Sequence, residues 1–446
     1  MRRFLCGLLG LIVVGAMVAG GARTAAAQGA LTLVRDAEME QALRLMADPL
    51  LEAAGLSSSA VTIYIVDDPN LNAFVAGGQN IFLFTGLLAG VDDPDEVLGV
   101  IAHEIAHIAG GHLTQGVAAR DNAQTLQIIT TLLGVAAAAA AGSSDLGAAA
   151  AVGGAEVGQR SILAHSRGVE AAADQAALSY LAATGNSAEG LLNFLSRLAD
   201  QELLPASRQA EYLRTHPITQ DRVNTVAAFV EQTPHLQPLG DPARNLFLRS
   251  QAKLIGYMRP HSALNQFPET ATDVPSIYGR AYAFYRLGRP DEALVLIERL
   301  LAAVPGDPYF HEFAGQVLME SNRVAEALPH YQQAVAALPN EPLLLTALGQ
   351  ARLQVGGDDH LQAAIGDLTQ AVNRPGGASP IAWRLLATAH GRAGDMGLSA
   401  VALAEEALAM GDRETARIQA ARAMQVLPNG SPGHLRALDI QAAADR

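Results

Sequence analysis

Two histidines and a glutamate lie within five residues, His103-Glu104-Ile105-Ala106-His107. On a helix, residues four apart lie about 40° apart around the axis and one turn apart along it. Both imidazoles then reach the same cation, and Glu104 lies beside it, where its carboxylate can take a proton from water. This is the H-E-x-x-H pattern of zinc hydrolases. His103 and His107 are therefore candidate metal ligands and Glu104 a candidate general base; the alternative is an amphipathic helix that holds two histidines by chance.

The residues around this motif predict the helix that it needs. Asp93 is a candidate N-cap, Pro94 occupies the first helical position, and Glu96 completes a capping box. Gly110-Gly111 is a plausible stop. Apolar residues recur between these signals at helical spacing: Val97, Val100, Ile101, Ile105 and Ile108.

Two histidines leave a catalytic zinc one protein ligand short. Glu170 is the candidate for this position, because it opens an Ala-rich stretch that reads as a second helix. Asp174 follows four residues later on the same face, where it can orient a ligand imidazole through a hydrogen bond. The alternative is that both are solvated helix charges.

Further segments extend the pattern beyond the pentapeptide: Leu71-Asn72-Ala73-Phe74, Asn80-Ile81-Phe82-Leu83-Phe84, Ser166-Arg167, Ala173-Asp174, Thr215-His216-Pro217 and Arg222. With these residues, the chain from about residue 35 to 230 resembles the gluzincin-type zinc metallopeptidases of the membrane-associated branch. The resemblance implies that His103, His107 and Glu170 bind one Zn²⁺ per chain and that Glu104 is the general base.

The resemblance also bears on His216 and Arg222. In a periplasmic branch of the family that assists outer-membrane barrel assembly, the segment matching His216 is a plug. Its histidine can occupy the open position of the metal and hold the enzyme off. Arg222 matches an active-site residue there. The alternative for His216 is a turn histidine before proline, and whether it is inhibitory or catalytic stays open.

The predicted fold is mainly α: a helical zincin domain with a small β-sheet, followed by an α-solenoid. Val61–Val66 and Ile81–Phe84 read as strands, and such a sheet lets an extended substrate add as a strand. The Ala- and Gly-rich stretch 125–158 is predicted to form a packed helical hairpin, because neither half is long enough to span a bilayer. Peripheral contact of this stretch with lipid is the alternative.

The first residues read as a cleavable signal peptide, residues 1–27, with a basic head, an apolar middle and Ala25-Ala26-Ala27 before the cleavage point. Its removal takes away the single cysteine and three arginines, and moves the formal net charge from −14 to −17. The mature chain then forms no disulfides. Its acidity makes nucleic acid a poor partner.

The C-terminal part contains a repeat. Ala293 and Ala327 are 34 residues apart, as are Pro305 and Pro339. This period, with alanine in a second helix and proline at its end, is typical of tetratricopeptide repeats, which stack into solenoids that bind extended chains or partner proteins. The predicted domains after the signal peptide are a zinc metallopeptidase domain (28–231), connecting helices (232–274) and a repeat domain (275–446).

Taken with the resemblance, these features predict a periplasmic zinc endopeptidase that acts in the quality control and assembly of outer-membrane proteins. Its expected partners are unfolded or stalled outer-membrane β-barrels and the barrel assembly machinery. The alternative is a repeat-based chaperone or adaptor whose protease site is plugged and rarely active.

Overall fold

The computed structural model describes residues 12–14, 32–111, 167–199, 212–213, 216 and 218–445. These residues fall into two units, one ending at Leu287 and the other beginning at Gly288. The chain is mainly α-helical, as the sequence predicts. The predicted hairpin at 125–158 lies outside the described residues.

Over the described residues, five strands of the first unit form one mixed sheet. They are β1 (Ile12–Val14), β2 (Leu33–Arg35), β3 (Thr62–Val66), β4 (Ala73–Ala76) and β5 (Asn80–Phe84). Their order is β1-β2-β3-β5-β4, and only the β3–β5 pair is parallel. The predicted strands are thus found as β3 and β5. β4 was not predicted and forms an edge of the described sheet.

Nine helices of the first unit are described. They are α1 (Ala37–Ala53), α2 (Thr85–Gly90), α3 (Pro94–Ala109), α4 (Arg167–Ala183), α5 (Glu189–Ala199), α6 (Gln220–Gln232), α7 (Ala243–Met258), α8 (Pro260–Gln266) and α9 (Val274–Arg286).

Helix α3 begins and ends as the sequence predicts. The Asp93 side chain accepts a hydrogen bond from the Asp95 N–H at 2.9 Å, and Glu96 Oε1 accepts one from the Asp93 N–H at 3.3 Å. The helix ends at Ala109 with Gly110 as its C-cap, and Gly111 has a φ of 61°, in the left-handed region that favours glycine. These contacts cap both ends of the element that carries the H-E-x-x-H motif.

Helix α3 is buried on all sides because apolar residues surround its axis. It packs against α4 and α5, and α1 also contacts it. Gly99 and Gly190 permit the close approach of α3 and α5: a Cβ at Gly99 would lie 2.7 Å from the Leu191 Cβ, and one at Gly190 would lie 2.1 Å from the Asp95 carbonyl carbon. The position of the metal-motif helix is therefore fixed by direct backbone packing.

Helices α7 and α9 pack against each other, and α7 also packs on α1. A buried ion cluster joins the three helices: Lys253 Nζ lies 2.7 Å from Asp36 Oδ1 and 2.8 Å from Glu38 Oε2. The Tyr278 hydroxyl donates to Glu38 Oε2 at 3.0 Å. The segment 232–274, for which a connecting role is predicted, thus contains α7 and α8; the domain boundaries drawn from the sequence stay predictions.

The second unit consists of helices over its described residues. They are α10 (Pro290–Ala303), α11 (Pro308–Glu320), α12 (Val324–Ala337), α13 (Pro342–Val355), α14 (Asp358–Val372), α15 (Pro380–Arg392), α16 (Met396–Ala409), α17 (Arg413–Val426) and α18 (Pro432–Asp445). Consecutive helices pack against each other from α10 to α18. This stack agrees with the predicted solenoid. Among the described residues, no helix of either unit is long and apolar enough to cross a bilayer.

Candidate metal centre

The structure brings together all seven residues that the sequence singles out. Helix α3 carries His103, Glu104 and His107, helix α4 carries Glu170 and Asp174, and helix α6 carries Arg222, with His216 four residues before that helix begins. None of these residues is more than 3 % exposed. Buried polar groups on this scale need partners, so their mutual contacts decide what the site can do.

The three candidate ligands form a triangle of donor groups, in which Glu170 faces each histidine with a different carboxylate oxygen. His103 Nε2 lies 3.0 Å from His107 Nε2 and 3.3 Å from Glu170 Oε2, and His107 Nε2 lies 3.6 Å from Glu170 Oε1. In a tetrahedral zinc site with bonds of about 2.0–2.1 Å, ligand atoms are separated by about 3.3 Å. The triangle therefore has the size that a zinc-like cation requires.

The buried carboxylates at this triangle also have unused acceptor capacity. Glu170 Oε1 and both carboxylate oxygens of Glu104 are buried and accept no hydrogen bond from any described residue. A cation at the centre, with the water that it holds, would satisfy these atoms. The donor set of two imidazoles and one carboxylate is also that of catalytic zinc sites, which keep one position open.

Asp174 and Arg222 contact the candidate ligands on the side away from their shared centre. Asp174 Oδ1 lies 2.9 Å from His103 Nδ1, so the carboxylate faces the ring nitrogen that points away from the other ligands. Arg222 donates to Asp174 through Nε at 2.6 Å and Nη2 at 2.9 Å. Its Nη1 lies 3.0 Å from Glu170 Oε2. Carboxylate–imidazole pairs of this kind fix the tautomer and orientation of a ligand histidine.

His216 closes the opposite side of the site. Its Nδ1 lies 3.2 Å from Glu170 Oε2, and its Nε2 lies 3.5 Å from Glu104 Oε1. The ligand atoms of His103, His107, Glu170 and His216 all lie within 4.8 Å of one another. His216 is thus placed where it can act as a fourth donor.

The acid–base properties of the site follow from burial and from these pairs. Burial lowers the pKa of His103, but Asp174 and Glu170 outweigh it and raise that pKa to about 9. Burial acts to raise the pKa of Glu170, and the bonds from His103 and His216 reverse this and hold it below its usual range. Burial raises the pKa of Glu104, although the charges of His216 and His103 oppose it. The site thus favours positive charge at its centre and makes Glu104 a stronger base.

The sequence analysis did not single out Tyr212, which lies against His216. The two rings stack with centroids 4.5 Å apart and planes inclined by 26°. The ring of Phe194 meets Tyr212 edge-on at 5.1 Å. Burial raises the pKa of the Tyr212 hydroxyl well above its ordinary value, so it stays protonated. Tyr212 and His216 are four residues apart, the spacing at which side chains meet on a helical turn, and this spacing was the available signal.

Comparisons with known proteins agree with this centre. A family model described as peptidase family M48 matches residues 35–230, and a tetratricopeptide repeat model matches residues 278–342. The beta-barrel assembly-enhancing protease of Yersinia pestis is 26% identical over 332 residues, covering 72% of this chain and 67% of that protein. The protein of the same name from Escherichia coli K12 is 25% identical over 339 residues, covering 74% and 68%.

A shorter similarity reaches the mitochondrial metalloendopeptidase OMA1 of Danio rerio, 36% identical over 69 residues, or 16% of this chain and 14% of that protein. The site geometry and these matches lead to one conclusion. The chain carries a metallopeptidase domain of peptidase family M48 together with tetratricopeptide repeats.

Proposed function

We propose that this protein is a zinc-dependent endopeptidase of the periplasm that acts in the quality control and assembly of outer-membrane proteins. The proteolytic part rests on the triangle of His103, His107 and Glu170, whose edges of 3.0, 3.3 and 3.6 Å fit one zinc ion. Glu104 lies beside this triangle with both carboxylate oxygens accepting no hydrogen bond from the described residues.

The roles of the residues follow from these positions. A bound zinc ion supplies Lewis-acid polarisation of the scissile carbonyl and lowers the pKa of water at the site. Glu104 accepts the proton of the attacking water on its free carboxylate and can pass it to the leaving amine. Asp174 holds His103 in one tautomer, and Arg222 holds Asp174 and Glu170 in place.

The sheet supplies a binding edge for an extended chain. β4 pairs with β5 on one side and is an edge of the described sheet on the other. An extended substrate that adds to this edge is held through its main chain, which gives affinity without demanding a sequence. Such binding suits clients that are unfolded and varied.

The client class is inferred from the relatives and from the chain's own features. The similar proteins of Yersinia pestis and Escherichia coli are named for enhancing beta-barrel assembly. We propose the same class of client here, stalled outer-membrane β-barrels, recruited with the assembly machinery by the repeat unit. The predicted signal peptide at residues 1–27 supports a periplasmic location.

One observation favours the second candidate function, a repeat-based chaperone or adaptor whose protease site is plugged. His216 lies over the metal-binding residues, within reach of both Glu104 and Glu170. With zinc bound, His216 would compete with water and substrate for the metal. The two functions differ in whether the protein ever releases His216 while a client is bound.

Degradation of casein and of a misfolded β-barrel by the purified protein distinguishes them. We expect cleavage that a chelator abolishes and added zinc restores, and that is absent in Glu104→Gln. Binding of the barrel without cleavage under all these conditions would favour the adaptor function.

A further inference from the structure

Tyr212 makes side-chain contacts that hold His216 in place. Its ring stacks on the imidazole at 4.5 Å, and Phe194 of α5 supports the other edge of the ring. Tyr212 is fully buried, and His216 is 2 % exposed. The His216 N–H also donates to the Tyr212 carbonyl at 2.8 Å, so the two residues are joined through the main chain as well. The position of the imidazole therefore depends on Tyr212.

The main chain of Tyr212 contacts the sheet just before β4. Asn72 O accepts a hydrogen bond from the Phe84 N–H at 3.1 Å, so this carbonyl points towards β5. Successive carbonyls of an extended chain point in opposite directions. Leu71 O therefore points away from β5, and it accepts a hydrogen bond from the Tyr212 N–H at 3.3 Å. Tyr212 thus occupies the end of the edge along which an added strand would pair.

We infer that Tyr212 is a positioning residue that keeps His216 over the metal-binding residues and closes the Leu71 end of the β4 edge, so that an extended substrate displaces both together. A substrate that pairs along β4 competes with the Tyr212 N–H for Leu71 O. Loss of that bond frees the ring that packs on His216. The substrate's own strand pairing would thus open the metal site, and short peptides that do not reach Leu71 would open it poorly.

This inference rests on the proposed proteolytic function and adds a kinetic consequence. If the closed state competes with substrate, the apparent KM equals the intrinsic value divided by the open fraction, whereas kcat at saturating substrate is unchanged. Weakening the hold on His216 then lowers KM. A residue that takes part in the chemistry would instead alter kcat.

The test measures kcat and KM for an extended peptide with wild type, Tyr212→Leu, His216→Ala and the double variant. We expect Tyr212→Leu and His216→Ala each to lower KM by at least about threefold with little change in kcat. The double variant should match His216→Ala alone, because Tyr212 acts through His216. Tyr212→Phe keeps the ring and should restore the wild-type KM. Phe247→Leu, in the same core but on α7, controls for the loss of a buried aromatic ring.

Two results would overturn the inference. One is a change in KM caused by Tyr212→Leu that has the same size in the wild-type and His216→Ala backgrounds. The other is a Tyr212→Phe protein whose KM is as low as that of Tyr212→Leu. If no variant hydrolyses peptide, the proposed function fails, and the inference is decided separately by the rate at which diethyl pyrocarbonate modifies His216. That rate should rise in Tyr212→Leu and not in Phe247→Leu; equal rates in the two would contradict the role of Tyr212.

Discussion

At the residue scale, Glu104 and the three candidate ligands have separate tasks. His103, His107 and Glu170 point their donor atoms at one another, whereas Glu104 lies beside them and accepts no hydrogen bond from the described residues. A substitution at Glu104 should therefore affect chemistry without affecting metal binding. A substitution at Glu170 should instead weaken metal binding, and activity should fall with it.

Glu104→Gln keeps the size of the side chain and removes the base. We expect peptide hydrolysis to fall by at least about 10²–10⁴-fold, the contribution of a positioned general base. The metal content and thermal unfolding should stay those of wild type. Turnover close to wild type would assign proton transfer to another group.

Asp174→Asn tests the support behind His103. The amide cannot accept from His103 and from Arg222 as the carboxylate does, so zinc affinity should fall by about 10–100-fold. Arg222 is 3 % exposed and would keep only Glu170 as a charged partner, which should lower the free energy of unfolding by about 1–3 kcal/mol. Competition with a chelator and urea unfolding measure these effects. Asp221→Asn, exposed on α6, should change neither.

The sequence predicted part of this centre for a physical reason. His103 and His107 belong to one helix, so their spacing alone predicts a shared cation. Glu170 and Asp174 were candidates because they share a face of a second predicted helix, but their contact with His103 spans 67 residues or more and no local pattern predicts it. Tyr212 was missed although it lies four residues before His216, the spacing at which side chains meet on a helical turn, because no helical turn was predicted there.

At the element scale, packing between α3 and α5 sets the distance between these two helices. Gly99 lies one turn before His103, and a Cβ there would lie 2.8 Å from the Leu191 backbone. The backbone of α5 cannot move aside as a flexible side chain can. The two helices must separate if this glycine is replaced.

Gly99→Ala should therefore lower both stability and activity. We expect the free energy of unfolding to fall by about 1–3 kcal/mol, as for overpacked cores, and zinc affinity to fall because His103 shifts. Gly366→Ala is the matched control: it lies in α14, nothing lies within 4 Å of its added Cβ, and it should raise stability by about 1 kcal/mol. Equal effects of the two substitutions would show that α3–α5 packing does not position the metal site.

Capping signals predicted α3, and runs of apolar residues predicted β3 and β5, because these two kinds of signal lie within the element itself. β4 was not predicted as a strand, since Ala73–Ala76 has only four residues and all of them are apolar, which leaves no alternation in the sequence. Its partner β5 and the Gly77-Gly78 turn define it in the structure. The edge on which the substrate proposal depends is therefore a tertiary feature.

At the scale of the whole molecule, the first unit extends to Leu287 because α9 completes its core. Tyr278 and Tyr282 of α9 are nearly fully buried, and both rings lie about 6 Å from Lys253 Nζ. The Lys253 partners Asp36 and Glu38 are more than 200 residues away in the chain. No sequence pattern predicts ion pairs across such a separation.

Two truncations test where this unit ends. A chain that stops after Leu287 keeps α9 and should unfold cooperatively and hydrolyse a short peptide. A chain that stops after Asp273 loses Tyr278 and exposes the Lys253–Glu38 cluster. Its free energy of unfolding should be lower by about 3–5 kcal/mol. Thermal unfolding of both proteins measures the difference, and equal stability would place the boundary before α9.

The chain that stops after Leu287 also tests the role of the repeats. It should retain peptide hydrolysis but lose turnover of stalled barrel precursors and co-purification with the assembly machinery, because the recruiting surface is gone. Its matched control is the full chain with Glu104→Gln, which should still co-purify. Normal clearance of precursors by the truncated protein would contradict the recruitment role.

The central claim is that His103, His107 and Glu170 hold one zinc ion, and metal analysis of the purified protein tests it most directly. Inductively coupled plasma mass spectrometry should find about one zinc per chain in wild type and in Glu104→Gln, in agreement with a three-ligand site that does not use Glu104. Glu170→Gln should retain only a small fraction of that zinc. Full zinc occupancy in Glu170→Gln, or no bound metal in wild type even after zinc is supplied, would contradict this account.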